Sequence, residues 1–423
     1  MIYILREAGY EFTPDPEAAD YLIINTCGFI TAAKAEAISA TLELADLKRP
    51  GAKLVMTGCL PQRYMAEVYR DLPEVDACLG TAEYKNIAQV LDALGQEQFE
   101  PCMRAPAPGS LAHLEQGRVA DLSRAYAYLK VAEGCSNHCA FCAIPGIRGP
   151  LRSRPQASLV REARDLSKAG FQELILVAQD TARYGTDLKT GETLVTVLRA
   201  LLEETEIPWI RLMYTYGDAL SDEMIALMAS EERILPYLDM PIQHVSDAIL
   251  KRMGRHETKA DIARNILRLR NSIPNLILRT TVLLGFPGER EDEVSELIDF
   301  IQEHPFDRLG CFAFSPEEKT RAYRLPGQID DETKASRVER VMTVQAEIAE
   351  RQAKARLGQR VDVLLESVSP DGIFYVGRSY GEAPEIDPDI FLLNSRGEEL
   401  RLGQRVRAEI IDVQGYDLTA KTV

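Results

Sequence analysis

Between residues 126 and 314 short apolar runs alternate with amphipathic stretches, and this alternation restricts the chain to a parallel sheet flanked by helices. Candidate strands fall at 127–133, 173–178, 209–215, 237–242, 276–284 and 308–314, with helices at 158–169, 194–203 and 292–303 among those between them. Six β/α units in about 190 residues predict an incomplete parallel barrel, since a full eightfold one takes about 250. A shorter version of the pattern occupies the start of the chain. Strands are expected at 21–26, 53–57 and 75–79, with helices at 30–48, 62–70 and 84–94.

Residues 99–122 are rich in Pro, Gly and Ala and read as a linker. A charged helix over 331–356 is followed by short strands at 360–366, 373–377, 390–393, 405–412 and 416–421, a small all-β barrel. The expected fold is therefore α/β multidomain. It comprises an N-terminal parallel α/β domain (1–98), a linker (99–122), a partial (β/α)6 barrel (123–356) and a C-terminal all-β barrel (357–423). The chain opens directly on a helical segment, 2–8, closed by Gly9. An α/β domain normally leads with a strand, so the first domain is expected to lack its first strand and loop, roughly 20–25 residues.

Lys and Arg number 49 and Asp and Glu 65, a net charge of −16 with pI 5.0. That balance argues against a protein held mainly by phosphate backbones and suits a basic protein partner. No apolar run reaches the length of a membrane span. The opening MIYILREAGYE has neither the basic region nor the apolar stretch of a signal peptide. A cytoplasmic location is expected, where clustered cysteines are more often metal or cluster ligands than disulfides.

Three of the eight cysteines lie within one loop after the first barrel strand: Cys135, Cys139 and Cys142, in CSNHCAFC. Soft thiolates select zinc or an iron–sulfur cluster. Structural zinc wants a fourth ligand, and only His138, inside the loop, offers one. Three ligands without a clear fourth suit a cubane with one iron left open for substrate; zinc and plain buried thiols remain the alternatives.

This loop resembles the signature of the radical S-adenosylmethionine superfamily, in which the open iron is chelated by the amino and carboxylate groups of the methionine moiety. The resemblance places Phe141 near the adenine, with ordinary core packing as the alternative. VLLGFPGE at 282–289, which contains Gly285, is similar to the fifth-strand motif that helps bind adenine. Gln179-Asp180 and Gln243-His244 fall at the C-terminal ends of strands, where barrel enzymes place functional side chains. Cofactor contact by Gln179 and Gln243 is weighed against internal hydrogen bonding, which buried polar groups require anyway.

The flanking domains narrow the resemblance to the methylthiotransferases, over essentially the whole chain. Their N-terminal domain holds a second 4Fe-4S cluster through three loop cysteines. Two are visible here, Cys27 and Cys59, each after an apolar strand and beside a glycine, at the usual ligand edge of an open α/β sheet. The third is absent from this chain, in keeping with the missing strand, and puts the second cluster in doubt. Cys78 and Cys311 read as buried strand residues and Cys102 as an incidental linker thiol.

Two substrate classes compete within the family: adenosine 37 of transfer RNA, and an aspartate of the twelfth small-subunit ribosomal protein, the substrate of the RimO type. The terminal barrel resembles the TRAM module. From Arg360 to Val423 seven basic residues face twelve acidic ones, a balance of −5. An acidic barrel repels RNA and complements a basic ribosomal protein, unless its acids are simply solvated surface. The segments GRSYGEAPEID (377–387), GCFAFSP (310–316) and LPYLDMPIQH (235–244) are similar to the RimO type.

The RimO-type resemblance implies two 4Fe-4S clusters and S-adenosylmethionine as cofactors. It implies a 5′-deoxyadenosyl radical that abstracts hydrogen from the aspartate β-carbon, and a methylthio group delivered from the N-terminal cluster. The implied partners are the ribosomal protein or small subunit and an electron donor such as flavodoxin or ferredoxin, with no membrane and no nucleic acid as primary substrate. The basic pair Arg148 and Arg154 is expected to place charge near the cofactor or substrate, or else to form rim salt bridges. A non-catalytic iron–sulfur ribosome-binding factor is the alternative from another functional class.

Overall fold

A computed structural model describes residues 1–96, 102–109, 111–115 and 117–423. The chain divides into two compact units, both discontinuous in sequence. One comprises Met1–Val119, Glu133–Arg152 and Ser315–Arg324; the other comprises Ala120–Ala132, Ser153–Phe314 and Leu325–Val423. The cysteine loop thus belongs with the N-terminal residues, which the linear reading of domains did not anticipate.

The first unit is built on a parallel sheet in the order Tyr21–Thr26, Lys53–Gly58, Ala77–Leu79, Cys102–Arg104. Alternate residues of the strands enter opposite cores. Leu22, Leu54, Met56 and Cys78 pack on one face with Leu60, Val68 and Leu72. Val55, Ala77 and Leu79 pack on the other with Leu5, Ile87 and Leu91. Burial on both faces is why these strands read as unbroken apolar runs. Leu5 comes from the opening helix, Ile2–Glu7, which ends at Gly9 as expected, with the Tyr10 N–H donating to the Leu5 carbonyl at 3.0 Å.

The linker reading needs correction. Cys102–Arg104 is a strand of this sheet, paired in register with Ala77–Leu79, and Ala112–Glu115 is a short helix. Cys102 is therefore a strand residue and not an incidental linker thiol. Residues 99–101, 110 and 116 of the expected linker lie outside the described residues.

The second unit holds a six-stranded parallel sheet whose strands stand side by side in chain order. They are Tyr126–Lys130, Glu173–Val177, Trp209–Leu212, Ile234–Asp239, Ile277–Leu284 and Arg308–Ala313. This is the incomplete barrel expected from the alternation. Four of its helices start on side-chain caps: Thr193, Ser221, Ser246 and Thr258 each accept a backbone N–H of the first turn, worth about 1 kcal/mol apiece. No helix among the described residues is long and apolar enough to cross a membrane.

The long helix Asp331–Lys354 leads to a closed barrel in the order Arg360–Val368, Tyr375–Arg378, Ile390–Leu393, Asp417–Thr422, Arg405–Gln414. Its interior is Val361, Val363, Leu365, Ile390, Leu392, Ala408, Ile410 and Ala420. Leu364 and Ala383 leave that interior and join Tyr126, Ile175, Trp209, Tyr237 and Ile277 of the parallel sheet.

Buried ion pairs accompany this junction. Glu173 is fully buried between Arg211 (2.5 Å) and Arg378 (2.8 Å). Arg378 also binds Glu366, Glu382 pairs with Arg356 and Arg308, Tyr237 donates to Asp387 at 2.6 Å, and Glu385 meets Arg124. Three of the twelve barrel acids, Glu366, Glu382 and Asp387, thus face internal partners, whereas Glu385 pairs with Arg124 at the exposed surface. The −5 balance overstates the charge a partner would meet.

Burial alone would push the Glu382 carboxyl up; Arg356 and Arg308, with the Ser379 hydroxyl, outweigh it and hold the group at about 2, against an ordinary 4.5. A depressed pKa contributes stability that is complete above the ordinary value and is lost as pH falls toward the depressed one. Urea unfolding followed by the single tryptophan, Trp209, which sits in this junction, should weaken between pH 4.5 and about 2. Glu382→Gln should flatten that limb and cost about 3 kcal/mol at neutral pH, because it leaves buried arginines unpaired.

Candidate cysteine-lined active site

The paired strands Tyr21–Thr26 and Lys53–Gly58 set Thr26 opposite Gly58, so Cys27 and Cys59 leave the sheet at neighbouring strand ends. The turn is tight. Gly58 has φ +109°, where a Cβ would strike the Thr26 carbonyl, and a Cβ on Gly28 would lie 2.8 Å from the Leu60 backbone. Only glycine allows both loops to come this close. Cys27 is exposed; Cys59 is buried and packs with Phe29, Ala143 and Ile147.

Ala143 and Ile147 follow directly on the cysteine triplet. The Cys135 N–H donates to the Gly149 carbonyl at 3.1 Å, and the Leu151 N–H to the Ser136 hydroxyl at 3.1 Å, closing the loop. Within it the Cys142 N–H donates to the Cys139 carbonyl at 3.1 Å. Cys135 and Cys139 are buried; Cys142 and Phe141 are half-buried. Burial pushes the Cys142 thiol up to about 12, and the nearby Cys139 and Cys135 add to the shift. Gathered thiols of this kind need a cationic centre to ionise together.

Among the described residues no three His, Cys, Asp or Glu side chains close on one point as a single metal ion requires. Three soft thiols on one loop are donors of the kind that select zinc or an iron–sulfur cluster. A cavity of about 580 Å³ opens onto Cys139 and Cys142 and carries Arg63, Lys319 and Arg321 on its wall.

The expected basic pair separates. Arg148 donates to the Cys59 sulfur at 3.2 Å and pairs with Glu133 at 3.2 Å. Burial opposes its charge, but Glu133, Cys59 and Tyr84 outweigh this and raise its pKa. Arg154 is buried, bound to Glu162 at 2.7 Å, to the Lys130 carbonyl at 2.9 Å and to the Ser158 hydroxyl at 3.0 Å. These internal partners are of the kind the salt-bridge alternative describes.

In the second unit, Gln179 is half-buried and its Oε1 is enclosed without a hydrogen-bond partner. Gln243 adopts φ +67°, donating its N–H to the Thr281 carbonyl at 2.9 Å and accepting from the Leu283 N–H at 2.7 Å. Gly285 has φ +74°, where a Cβ would run into the Lys334 side chain, and its N–H donates to Glu289 at 2.9 Å. His244 accepts the Ser246 N–H on Nδ1 at 2.9 Å; burial, with Arg337 nearby, holds its pKa down to about 4, so it is neutral at pH 7. The Gln179 Oε1 and the His244 Nε2 are both buried without a hydrogen-bond partner, polar atoms that a ligand could satisfy.

One element was not anticipated. Glu317, buried, receives Arg63 at 3.0 Å, Lys34 at 3.0 Å, the Thr31 N–H at 2.6 Å and the Ser315 hydroxyl at 2.8 Å. Arg63 also donates to the carbonyls of Gly28 (2.9 Å) and Phe29 (3.2 Å). Farther along, the Ala322 N–H donates to the Ala140 carbonyl at 2.9 Å and Arg321 to the His138 carbonyl at 2.7 Å. Residues 315–324 thereby bridge the Cys27 loop and the cysteine triplet. Glu317→Gln, which leaves Arg63 and Lys34 without their carboxylate, should cost about 3 kcal/mol in urea unfolding and accelerate hydrogen exchange at the Ala322 amide.

Comparison with known proteins agrees along the whole chain. Residues 129–301 match the Radical SAM superfamily, residues 1–80 the Uncharacterized protein family UPF0004, and residues 357–423 the TRAM domain. A protein of Acetivibrio thermocellus named ribosomal protein uS12 methylthiotransferase RimO is 42% identical over 430 residues, covering 100% of this chain and 94% of its own. Proteins of the same name from Trichlorobacter lovleyi (41%, covering 100% and 94%) and Clostridioides difficile (42%, covering 99% and 94%) are similar to the same extent. Among solved structures, the radical S-adenosylmethionine methyltransferase TsrM of Kitasatospora setae superposes with a TM-score of 0.53 at 15% identity, over 73% of this chain and 64% of its own. That likeness concerns the fold.

Proposed function

The chain belongs to the RimO family of ribosomal protein uS12 methylthiotransferases, and on that premise we propose that it adds a methylthio group to the β-carbon of an aspartate of uS12 by radical S-adenosylmethionine chemistry. The observation that carries the reading is identity above 40% across nearly the full length of both chains, joined to a closed loop that gathers three thiols.

Cys135, Cys139 and Cys142 would hold the radical 4Fe-4S cluster; Cys27 and Cys59 would supply two of the three ligands that a second cluster takes, and the third is absent from this chain. The first cluster, when bound, supplies the electron that cleaves S-adenosylmethionine. The chain's own task is binding, orientation and exclusion of water. Phe141 offers an aromatic face for the adenine. Gln179 presents its unpartnered Oε1 as an acceptor for a donor on S-adenosylmethionine. Gln243 and Gly285, both locked by backbone hydrogen bonds, shape the strand ends it lies against. The protein acts in the cytoplasm and draws its electron from a flavodoxin or ferredoxin.

Cys139→Ala should abolish 5′-deoxyadenosine formation and remove one cluster's share of iron after anaerobic reconstitution, while Cys27→Ala and Cys59→Ala should spare 5′-deoxyadenosine and stop methylthio transfer. Mass spectrometry of uS12 from a strain lacking the gene tests the substrate. The methylthio-aspartate should vanish; its persistence would overturn the assignment.

A further inference from the structure

We propose that Tyr214 binds the target aspartate, its phenol donating a hydrogen bond to the side-chain carboxylate and so holding the β-carbon in place for hydrogen abstraction. The proposal rests on the reading above, that an aspartate of uS12 is the substrate. The alternation in the sequence extends the third strand of the parallel sheet to residue 215, but that strand ends at Leu212. Two residues on, Tyr214 stands at φ +57°. For a bulky side chain this left-handed backbone is an outlier. Such a conformation costs free energy and persists only where the surroundings over-determine it.

Here they do. The Tyr214 N–H donates to Asp239 Oδ2 at 3.2 Å, and its carbonyl accepts the Thr181 N–H at 2.8 Å. The Met213 carbonyl accepts the Thr181 hydroxyl at 2.6 Å, and the Thr215 N–H donates to the Asp239 carbonyl at 2.8 Å. Thr181, Thr215 and Asp239 are wholly buried, and they belong to three adjacent strand ends. The side chain they present is not buried: Tyr214 is 44% exposed. Strain kept for packing would place the ring inside. Moreover, the Tyr214 hydroxyl has no hydrogen-bond partner among the described residues.

The strand before Tyr214 lies between those that lead to Gln179 and Gln243, so all three side chains stand at the edge where parallel barrels place functional groups. Burial raises the phenol's pKa, Asp239 adds to the rise and Arg279 opposes it. The group is therefore protonated at neutral pH and able to donate. A hydrogen bond to a carboxylate is roughly twice as strong as one to a neutral acceptor. In the substrate that carboxylate is bonded to the carbon that loses hydrogen, so one such bond fixes the reacting atom where an ångström matters.

The test uses the full chain, reconstituted anaerobically, with S-adenosylmethionine, dithionite and uS12 carrying deuterium on its aspartate β-carbons. Mass spectrometry of 5′-deoxyadenosine reads the share that has taken up deuterium. Tyr214→Phe keeps the ring and removes only the unpartnered hydroxyl. It should lower that share about tenfold, the effect of losing one hydrogen bond to a charged group. Its urea midpoint, and the 5′-deoxyadenosine formed without uS12, should match the parent. Binding gives a second reading that needs no cluster. Tyr214→Phe should weaken uS12 binding, and should weaken it no further when the target aspartate of uS12 is replaced by alanine. An unchanged deuterium share, or binding losses that simply add, would overturn the proposal. A lowered urea midpoint would make Tyr214 a structural residue, and less 5′-deoxyadenosine without uS12 would make it a cofactor contact; either overturns it too. A parent that forms 5′-deoxyadenosine but takes no deuterium from uS12 would instead overturn the underlying reading of the substrate.

Discussion

A single buried carboxylate holds the cysteine site together. Glu317 accepts from Thr31 and Lys34 on one helix, from Arg63 on the next and from Ser315 on its own segment. The groups it gathers could not be buried singly without a large desolvation cost. The same Arg63 fixes the carbonyls after Cys27, and the segment bearing Glu317 goes on to bind the backbone of the cysteine triplet. Remove the carboxylate and the two cysteine groups lose the element that spans them.

A second set of buried charges governs the other unit. Glu173 lies between two arginines, one on a neighbouring strand of the parallel sheet and one on the terminal barrel. Pairs of this kind add little net stability over an apolar contact, but a misplaced partner leaves an unpaired charge and is costly. They specify how the barrel seats on the sheet, while Leu364, Ala383 and Trp209 supply the apolar area.

Much of this was legible in the sequence, for physical reasons. Doubly buried strands such as Lys53–Gly58 show as apolar runs because both faces meet cores, and the triplet shows because ligands on one loop must be close in sequence. What escaped notice lacked a local signature. Cys102–Arg104 is a three-residue strand at a sheet edge amid Pro and Gly, too short for a periodicity. Arg63 and Glu317 stand 254 positions apart, and no spacing rule links them. Arg148 was singled out for its charge, but its partner, Cys59, is visible only once the chain is folded. The acidic count of the terminal barrel was correct as arithmetic, yet counting does not reveal that Glu382 and Asp387 turn inward.

The composition of the first unit has a consequence for how the protein is made. The last of its three chain segments, Ser315–Arg324, emerges from the ribosome well after the cysteines of the site have been synthesised. Until then Cys27, Cys59 and the triplet have been synthesised, but Glu317, which clamps them, has not. The sheet can form early from its local strand–helix turns, whereas the cysteine pocket is a late, long-range closure of high contact order.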